Sequence, residues 1–277
     1  MPELPEVETI VRALREGGRG GAPLVSRKVQ SVRLLWARSL AVPDESSFLE
    51  RLPGQDIIDI SRRGKYIVMQ LSQDFMLVHL RMSGDLRVDK LVDNPDQLLE
   101  PHDRAAFWLN GDVRLVFNDP RKFGRIWLVS DPQTVVGRLG PEPLEETFVL
   151  PLFFSGLQKR RRQLKPLLLD QGFIAGIGNI YSDEALHLAG LHPCRLASSL
   201  SETEAESLYH ALRQVLNEGI RTQGASIDWI YRGGRFQNNF NVYQRTGESC
   251  KTCGTPIIRL VVGQRGTHIC PRCQPES

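Results

Sequence analysis

Four of the five cysteines stand in two close pairs near the C-terminus, and this spacing constrains the fold more than any other feature of the chain. Cys250 and Cys253 are followed, after a gap of sixteen residues, by Cys270 and Cys273. Two C-x2-C turns offer four sulfur ligands, which is what a tetrahedral structural zinc requires. Two disulfides or four free thiols are the alternatives, and a reducing cytosol disfavours both. The sequence therefore predicts one structural Zn²⁺, with no coordination position left open for catalysis.

Length and charge bound the remaining possibilities. A chain of 277 residues is long enough for two domains with cores of their own. It contains no apolar run of 18 residues and no signal-peptide pattern, so we expect a cytoplasmic protein without a membrane partner. The formal charge is +3, but residues 221–277 hold eight Lys or Arg against three acids, leaving −2 for the rest. This basic tail suggests contact with a polyanion, although a solvated surface is the commoner explanation.

The periodicity of apolar residues changes along the chain. Between about 28 and 129, short segments rich in β-formers alternate with Gly, Asp and Asn, which predicts an antiparallel β-sandwich. A Pro-rich connection, residues 140–144, precedes patterns of helical period. These patterns predict helices over 158–169, 180–189 and 204–220, the last beginning with a Ser201/Glu204 capping box.

These segments predict an α+β chain of two domains with a zinc module. We expect an N-terminal helix and β-sandwich domain over 2–135, a linker over 136–150, a helical domain over 151–235 and the zinc module over 240–277. Arg265 lies between the cysteine pairs, near the tip of a predicted β-hairpin. An Arg at such a tip is suited to phosphate or groove contact, but it could equally be a solvated turn residue.

The N-terminus combines an amine with an acid. If Met1 is removed, Pro2 becomes a terminal secondary amine beside the carboxylate of Glu3. Terminal amines have a pKa of roughly 7.7 to 8, so much of the amine is free base at neutral pH and can attack a sugar C1′ or a carbonyl to form a Schiff base. The alternative is that Pro2 only begins an amphipathic helix, whose apolar positions would be Val7, Ile10, Val11 and Leu14.

The stretch Pro2 to Thr9 resembles the start of the bacterial formamidopyrimidine-DNA glycosylases, which repair oxidised purines. Residues 171–184, with three glycines leading into a helix, resemble the helix–two-turn–helix motif of the same family and could by themselves cradle a phosphate. The resemblance extends from Pro2 to Cys273. It implies a β-sandwich domain, a helix–two-turn–helix domain and a C-terminal zinc-finger hairpin.

The resemblance also implies catalytic roles. Pro2 would attack C1′ of the flipped nucleotide, and Glu3 would support loss of the base and proton transfer at the sugar. Lys65 would contact phosphate and move a proton during elimination. Arg265 would bind the phosphate at the lesion and assist the second elimination. No nucleotide, redox or catalytic metal cofactor is implied.

Further residues of the chain match the family's DNA contacts. The resemblance assigns such contacts to His102, Arg121, Arg160 and Asn179, and we expect one from Lys165 as well, because it follows a basic run. Arg160 belongs to a basic run, residues 159–162, at the start of a predicted helix, where positive charge is unfavourable unless an anion compensates it.

An enzyme that acts on a base must extrude it from the duplex and fill the gap that remains. By resemblance Met82 and Phe123 are apolar wedges, and Arg121 reads the orphaned partner base. Without the resemblance, Met82 and Phe123 would more often be ordinary core residues.

The implied function is base-excision repair of damaged double-stranded DNA by a monomer. The enzyme would remove 8-oxoguanine and formamidopyrimidines through a Schiff base and cleave the abasic site by β- and δ-elimination. An endonuclease VIII-like enzyme for oxidised pyrimidines is one alternative, against which Leu4 and the segment 121–123 argue. A non-catalytic zinc-containing DNA-binding protein is the other. Loop 228–240, which can close over the base in this family, is shorter than in many relatives.

Overall fold

The computed structural model describes residues 1–91, 99–227 and 233–276. The chain forms two compact units. The first comprises Met1–Arg138 and the described part of Ser226–Gly233, and the second comprises Leu139–Ala225 and residues 234–276. None of the described helices is both long and apolar enough to cross a membrane.

The first unit contains nine strands and three helices among its described residues. The helices are α1 (Leu4–Glu16), α2 (Glu45–Arg51) and α3 (Gln133–Val136). The strands are β1 (Val29–Leu34), β2 (Leu40–Val42), β3 (Ile57–Arg63), β4 (Tyr66–Leu71), β5 (Phe75–His79), β6 (Asp85–Lys90), β7 (Asp103–Leu109), β8 (Val113–Asn118) and β9 (Arg125–Val129).

The nine strands form two sheets, which confirms the predicted sandwich. One sheet has the order β1-β7-β8-β6 and is antiparallel throughout. The other has the order β2-β9-β5-β4-β3, in which β2 and β9 form the only parallel pair. One cluster of buried apolar side chains gathers residues from both sheets and from α1, whose apolar face packs against β3 and β4. The start of α1, where Pro2 lies, is thereby fixed to the sandwich.

Strand β6 was not evident from the sequence because charged side chains interrupt it. Arg87 forms a bidentate ion pair with Asp103 of β7, with N–O distances of 2.8 Å. Asp89 accepts a hydrogen bond of 2.9 Å from the fully buried Arg114 of β8. These cross-strand pairs satisfy the charges within the sheet, so the strand needs no apolar alternation there.

The second unit contains four α-helices and a hairpin among its described residues. They are α4 (Leu150–Gln158), α5 (Leu164–Leu168), α6 (Asn179–Leu188), α7 (Glu202–Arg221), β10 (Ile258–Val262) and β11 (Arg265–Ile269). Helix α7 begins at the predicted Ser201/Glu204 capping box. Gly263 and Gln264 both have positive φ, the conformation of a two-residue hairpin turn, and they place Arg265 beside the tip.

The predicted helix over 158–169 is wrong. Helix α4 ends at Gln158, residues 159–163 are not helical, and α5 begins only at Leu164. The basic run 159–162 therefore follows the C-terminus of a helix, where positive charge is favourable, and not the N-terminus, where it would be unfavourable.

Candidate active site and nucleic-acid interface

The N-terminal residues are held in place by the first turn of α1. Glu3 is the N-cap of this helix and forms a capping box with Glu6, whose Oε2 accepts the Glu3 N–H at 2.8 Å. Pro2 is buried, and Glu3 and Glu6 are only 3% and 2% exposed, whereas Met1 is 40% exposed. Removal of the exposed Met1 would leave Pro2 as the terminal amine, immediately before this capping box.

Lys65 lies in the turn between β3 and β4, the hairpin against which α1 packs. Gly64 has a φ of 57°, and this left-handed residue allows the tight turn before Lys65. Arg62 joins the hairpin to the helix, because its Nε donates to Glu8 Oε2 at 3.1 Å. Lys65 itself is only 5% exposed. The expected amine, acid and lysine therefore stand on directly packed elements of one unit.

Two loops of the first unit carry the expected wedges. We call residues 80–84, between β5 and β6, the Met82 loop, and residues 119–124, between β8 and β9, the Arg121 loop. Phe123 is 49% exposed, and the Arg121 guanidinium carbon lies 5.1 Å from the centre of its ring. Met82 is half-buried. Phe123 is thus no ordinary core residue, and an exposed ring beside a cation is suited to contact with stacked bases.

His79 fixes the entry to the Met82 loop. Its Nδ1 accepts the backbone N–H of Arg81 at 3.0 Å, and Arg81 has a positive φ of 54°. Burial, together with the positive charges of Arg81 and Lys65, lowers the pKa of His79 to about 3. The ring is therefore neutral at neutral pH and remains a hydrogen-bond acceptor.

His102 is exposed at the start of β7, and its carbonyl accepts the N–H of Asp119 at 2.9 Å. Its side chain is within 3.5 Å of Arg104 Nη2. His102 is therefore bonded to Asp119, the buried first residue of the Arg121 loop.

In the second unit, two expected site residues bond to one carbonyl group that follows a third, Arg265. Gly266 O accepts hydrogen bonds from Asn179 Nδ2 and Lys165 Nζ, both at 3.1 Å. Arg265, the preceding residue, is exposed. The hairpin that carries Arg265 is thus attached to α6 and α5, the helices that supply Asn179 and Lys165.

The position of Lys165 contradicts its expected role as a direct DNA contact. The residue has no exposed surface, and its Nζ lies 2.5 Å from Asp183 Oδ1. Asp183 also accepts the N–H of His268 at 2.9 Å, so the pair ties α5, α6 and β11 together. A buried, paired ammonium cannot meet a phosphate, and Lys165 instead supports the hairpin.

Arg160 is half-buried just after α4. It donates to the Gly156 carbonyl at 3.1 Å, and its guanidinium carbon lies 5.0 Å from the centre of the Phe173 ring. It borders an apolar cavity of about 230 Å³ whose other walls include Phe148 and Phe153. The side chain is oriented by these contacts while part of it remains open to solvent.

The four paired cysteines form a cluster that fits one metal ion. Their sulfur atoms all lie within 4.8 Å of one another, with 3.4 Å from Cys253 to Cys270 and 3.9 Å from Cys250 to Cys273. A tetrahedral site with Zn–S bonds of 2.3 Å has edges of about 3.8 Å. The Thr252 N–H points at Cys250 Sγ, as expected for a thiolate ligand. No other such group of metal-ligand residues occurs among the described residues.

Helix α6 holds the metal cluster through residues that the sequence did not single out. Glu184 has no exposed surface and accepts the backbone N–H groups of Asn241, Val242 and Tyr243 at 2.8 to 3.1 Å. One turn later, His187 Nε2 lies 3.6 Å from Cys250 Sγ. Adjacent acidic residues in a helix usually indicate a solvated face, so nothing in the sequence pattern distinguished this buried one.

Loop 228–240 can be followed only in part, since residues 228–232 lie outside the described residues. Its later portion forms a short 3-10 helix over Phe236–Asn239. Phe236 is buried and stacks on Tyr181 of α6, with ring centres 5.0 Å apart.

Comparisons with known proteins agree with this arrangement. Residues 1–126 match the formamidopyrimidine-DNA glycosylase N-terminal domain, residues 139–230 match the H2TH domain of the same enzymes, and residues 247–275 match a zinc finger found in FPG and IleRS. The zinc-finger match and the cysteine geometry together confirm the predicted structural zinc site.

Individual relatives match over their full lengths. The formamidopyrimidine-DNA glycosylase of Thermus thermophilus is 45% identical over 288 residues, covering 100% of both chains. Two structures of Lactococcus lactis Fpg, one with DNA containing FAPY-dG and one with DNA containing an oxidised pyrimidine, are each 37% identical with a TM-score of 0.89. Each of these comparisons covers 99% of this chain and 100% of the relative. The chain therefore belongs to the formamidopyrimidine-DNA glycosylase family.

Proposed function

We propose that this protein is a base-excision DNA glycosylase that removes oxidised purines from duplex DNA and cleaves the resulting abasic site. The observation that carries the proposal is the N-terminus, where Pro2 precedes a capping box formed by two buried carboxylates. The Lactococcus lactis relative in complex with FAPY-dG DNA supports a ring-opened purine as substrate. Bacterial relatives and a DNA substrate support action on the chromosome, in the cytoplasm.

The first chemical step makes and breaks bonds at C1′. The free amine of Pro2 attacks C1′ while the bond from C1′ to the base nitrogen breaks, and the departing base takes the bonding electrons and a proton. The nitrogen then loses its own proton as the sugar ring opens at O4′, which gains one. The product is an iminium linking Pro2 to the sugar. Glu3 is placed to carry these protons, because it is adjacent to Pro2 and held by the first turn of α1.

The iminium makes the next two steps possible by acidifying neighbouring C–H bonds. Loss of a proton from C2′ expels the 3′ phosphate by β-elimination, and a second elimination expels the 5′ phosphate. Water then hydrolyses the iminium and restores the amine. In the first unit, we assign proton transfer and phosphate contact to Lys65. We assign Arg265, exposed beside its hairpin turn, to phosphate binding and to assistance of the second elimination.

We propose that Met82 and Phe123 fill the space left by the extruded base and that Arg121 reads its former partner. His102, Arg160 and Asn179 would bind backbone phosphates. Zinc, held by the four cysteines, would supply folding energy to the hairpin and no chemistry, because sulfur fills all four of its positions.

The test is trapping with borohydride, which reduces an iminium to a stable covalent adduct. Purified protein is incubated with a duplex carrying one 8-oxoguanine opposite cytosine, beside a thymine-glycol duplex and an undamaged one. Intact mass first establishes whether Met1 is absent. We expect an adduct with the purine lesion, lost or much weakened in Pro2→Gly, and strongly slowed base release in Glu3→Gln.

The other outcomes separate the alternatives. Trapping on thymine glycol alone would move the assignment to the endonuclease VIII-like class. Absence of any adduct from protein with a free Pro2, with tight duplex binding retained, would instead support a non-catalytic DNA-binding protein.

A further inference from the structure

The two loops that carry the expected wedges are joined by one buried pair of side chains. Asp119 and Ser83 both have no exposed surface, and they are 36 residues apart in the chain. The Ser83 hydroxyl donates to Asp119 Oδ1, which connects the Met82 loop to the Arg121 loop. Nothing in the chemistry proposed for Pro2 uses this pair.

Each partner also holds the backbone of the Arg121 loop. The other carboxylate oxygen of Asp119 accepts the Gly124 N–H at 2.7 Å. The Ser83 hydroxyl oxygen accepts the Arg121 N–H at 3.2 Å. The backbone on both sides of Phe123 is therefore fixed through Asp119 and Ser83. Of these two residues, Ser83 belongs to the Met82 loop.

Packing couples the same two loops. The Phe117 ring of β8 approaches both loop glycines so closely that a Cβ on Gly84 would lie 3.0 Å from it, and a Cβ on Gly124 would lie 2.4 Å from it. A Cβ on Gly124 would also come within 3.2 Å of Asp119 Oδ2. Both loops are thus seated against one ring, where neither can shift without disturbing the hydrogen-bonded pair.

We propose that Asp119 and Ser83 are positioning residues that make the two wedge-bearing loops act as one rigid unit during base extrusion. Extrusion requires both wedges to enter the base stack together. A base pair that is opened from one side alone closes again. If the Ser83 hydroxyl and the Asp119 carboxylate were not bonded to each other, Met82 and Phe123 could move independently. The pair therefore fixes their spacing before DNA binds, which reduces the ordering required at the transition state.

The proposal rests on the proposed glycosylase function, and it makes a distinct prediction about which step is affected. Extruding a paired, stacked base requires the wedges, whereas an abasic nucleotide has no base to unstack. Loss of the hydrogen bond between Ser83 and Asp119 should consequently slow removal of 8-oxoguanine far more than cleavage of a preformed abasic site. A general loss of stability would reduce both activities alike.

The variants are Ser83→Ala, Asp119→Asn and their combination. Alanine removes the hydroxyl that joins the loops, and asparagine has one acceptor oxygen for two donors. Asp74→Asn is the matched control, because Asp74 is also buried, accepts bonds from Arg51 and Gln55, and precedes β5 at the end opposite to the Met82 loop.

Extrusion is followed by the fluorescence of 2-aminopurine placed next to the lesion, and single-turnover rates are measured on 8-oxoguanine and abasic duplexes. We expect each Ser83 or Asp119 variant to slow extrusion and removal of 8-oxoguanine roughly 10- to 100-fold. Cleavage of the abasic duplex should change less than about threefold. The double variant should be little worse than either single one, because each single variant already disrupts the hydrogen bond that joins the two loops.

Equal slowing on both substrates, or extrusion as fast as in Asp74→Asn, would overturn the proposal. Wild-type protein is the check on the underlying function. If it neither extrudes nor excises the base, the proposed glycosylase function fails. If the wild type is active and the Ser83 and Asp119 variants are as active as the wild type, only the positioning proposal fails.

Discussion

Replacement of Lys165 by methionine distinguishes a structural lysine from a DNA-contacting one. The substitution keeps the unbranched stem but removes the ammonium, leaving Asp183 with no exposed surface and without its 2.5 Å partner. Breaking a buried ion pair from one side costs about 3–5 kcal/mol. For a domain of this size, this corresponds to a fall in Tm of roughly 10 °C or more.

The assay is thermal and denaturant unfolding of the zinc-loaded full chain, with hydrogen exchange reporting on residues 264–269. Lys159→Met is the matched control, since Lys159 is exposed after α4 and should change stability by less than about 0.5 kcal/mol. The double variant Lys165→Met/Asp183→Asn should recover much of the lost stability, because it leaves no uncompensated buried charge.

A phosphate contact would behave differently. Removing it would leave stability unchanged and would reduce the slope of log K against log salt by about 0.9 for duplex DNA. Observation of that pattern in Lys165→Met would refute the structural assignment.

Three further predictions follow from the environments of single groups. His79 has a pKa of about 3 in the fold against 6.5 when unfolded, so its contribution to stability is present above pH 6.5 and is lost as the pH falls. Between pH 7 and 5, the wild type should lose about 2 kcal/mol more than His79→Asn in denaturant titrations, and parallel pH profiles would contradict this. Glu184→Gln should lower the Tm and the exchange protection of Val242 and Tyr243, whereas Glu248→Gln, at an exposed surface pair, should not. Chelation of the metal under reducing conditions should abolish protection of the β10–β11 hairpin and weaken duplex binding while the first unit unfolds as before; a protected hairpin in metal-free protein would contradict this.

The sequence predicted those parts of the fold that have a local signal. Apolar runs identified the strands β4, β5 and β9, and the capping box identified the start of α7. The cysteine spacing predicted the metal cluster, since four ligands of one type leave few alternatives. Strand β6 was missed because its charges are satisfied by partners on other strands, and such partners are visible only in three dimensions.

The candidate site shows the same division. Phe123 and Arg265, for which the family pattern predicts contacts with DNA, are exposed. Lys165 was misassigned because a lysine beside a basic run is indistinguishable in sequence from one whose charge is buried against a helix. The residues that hold others in place, Asp119 and Glu184 among them, have no sequence signature, since their partners are backbone amides far along the chain.

Helix α6 also limits how the length of this chain can vary. Asp183, Glu184 and His187 contact three different segments between Asn241 and His268, all from one helix. Insertion of one residue before them would turn them by about 100° around the helix axis and away from all three partners at once. Insertions and deletions should therefore not be tolerated between Asn179 and His187, where the number of residues matters as much as their identity.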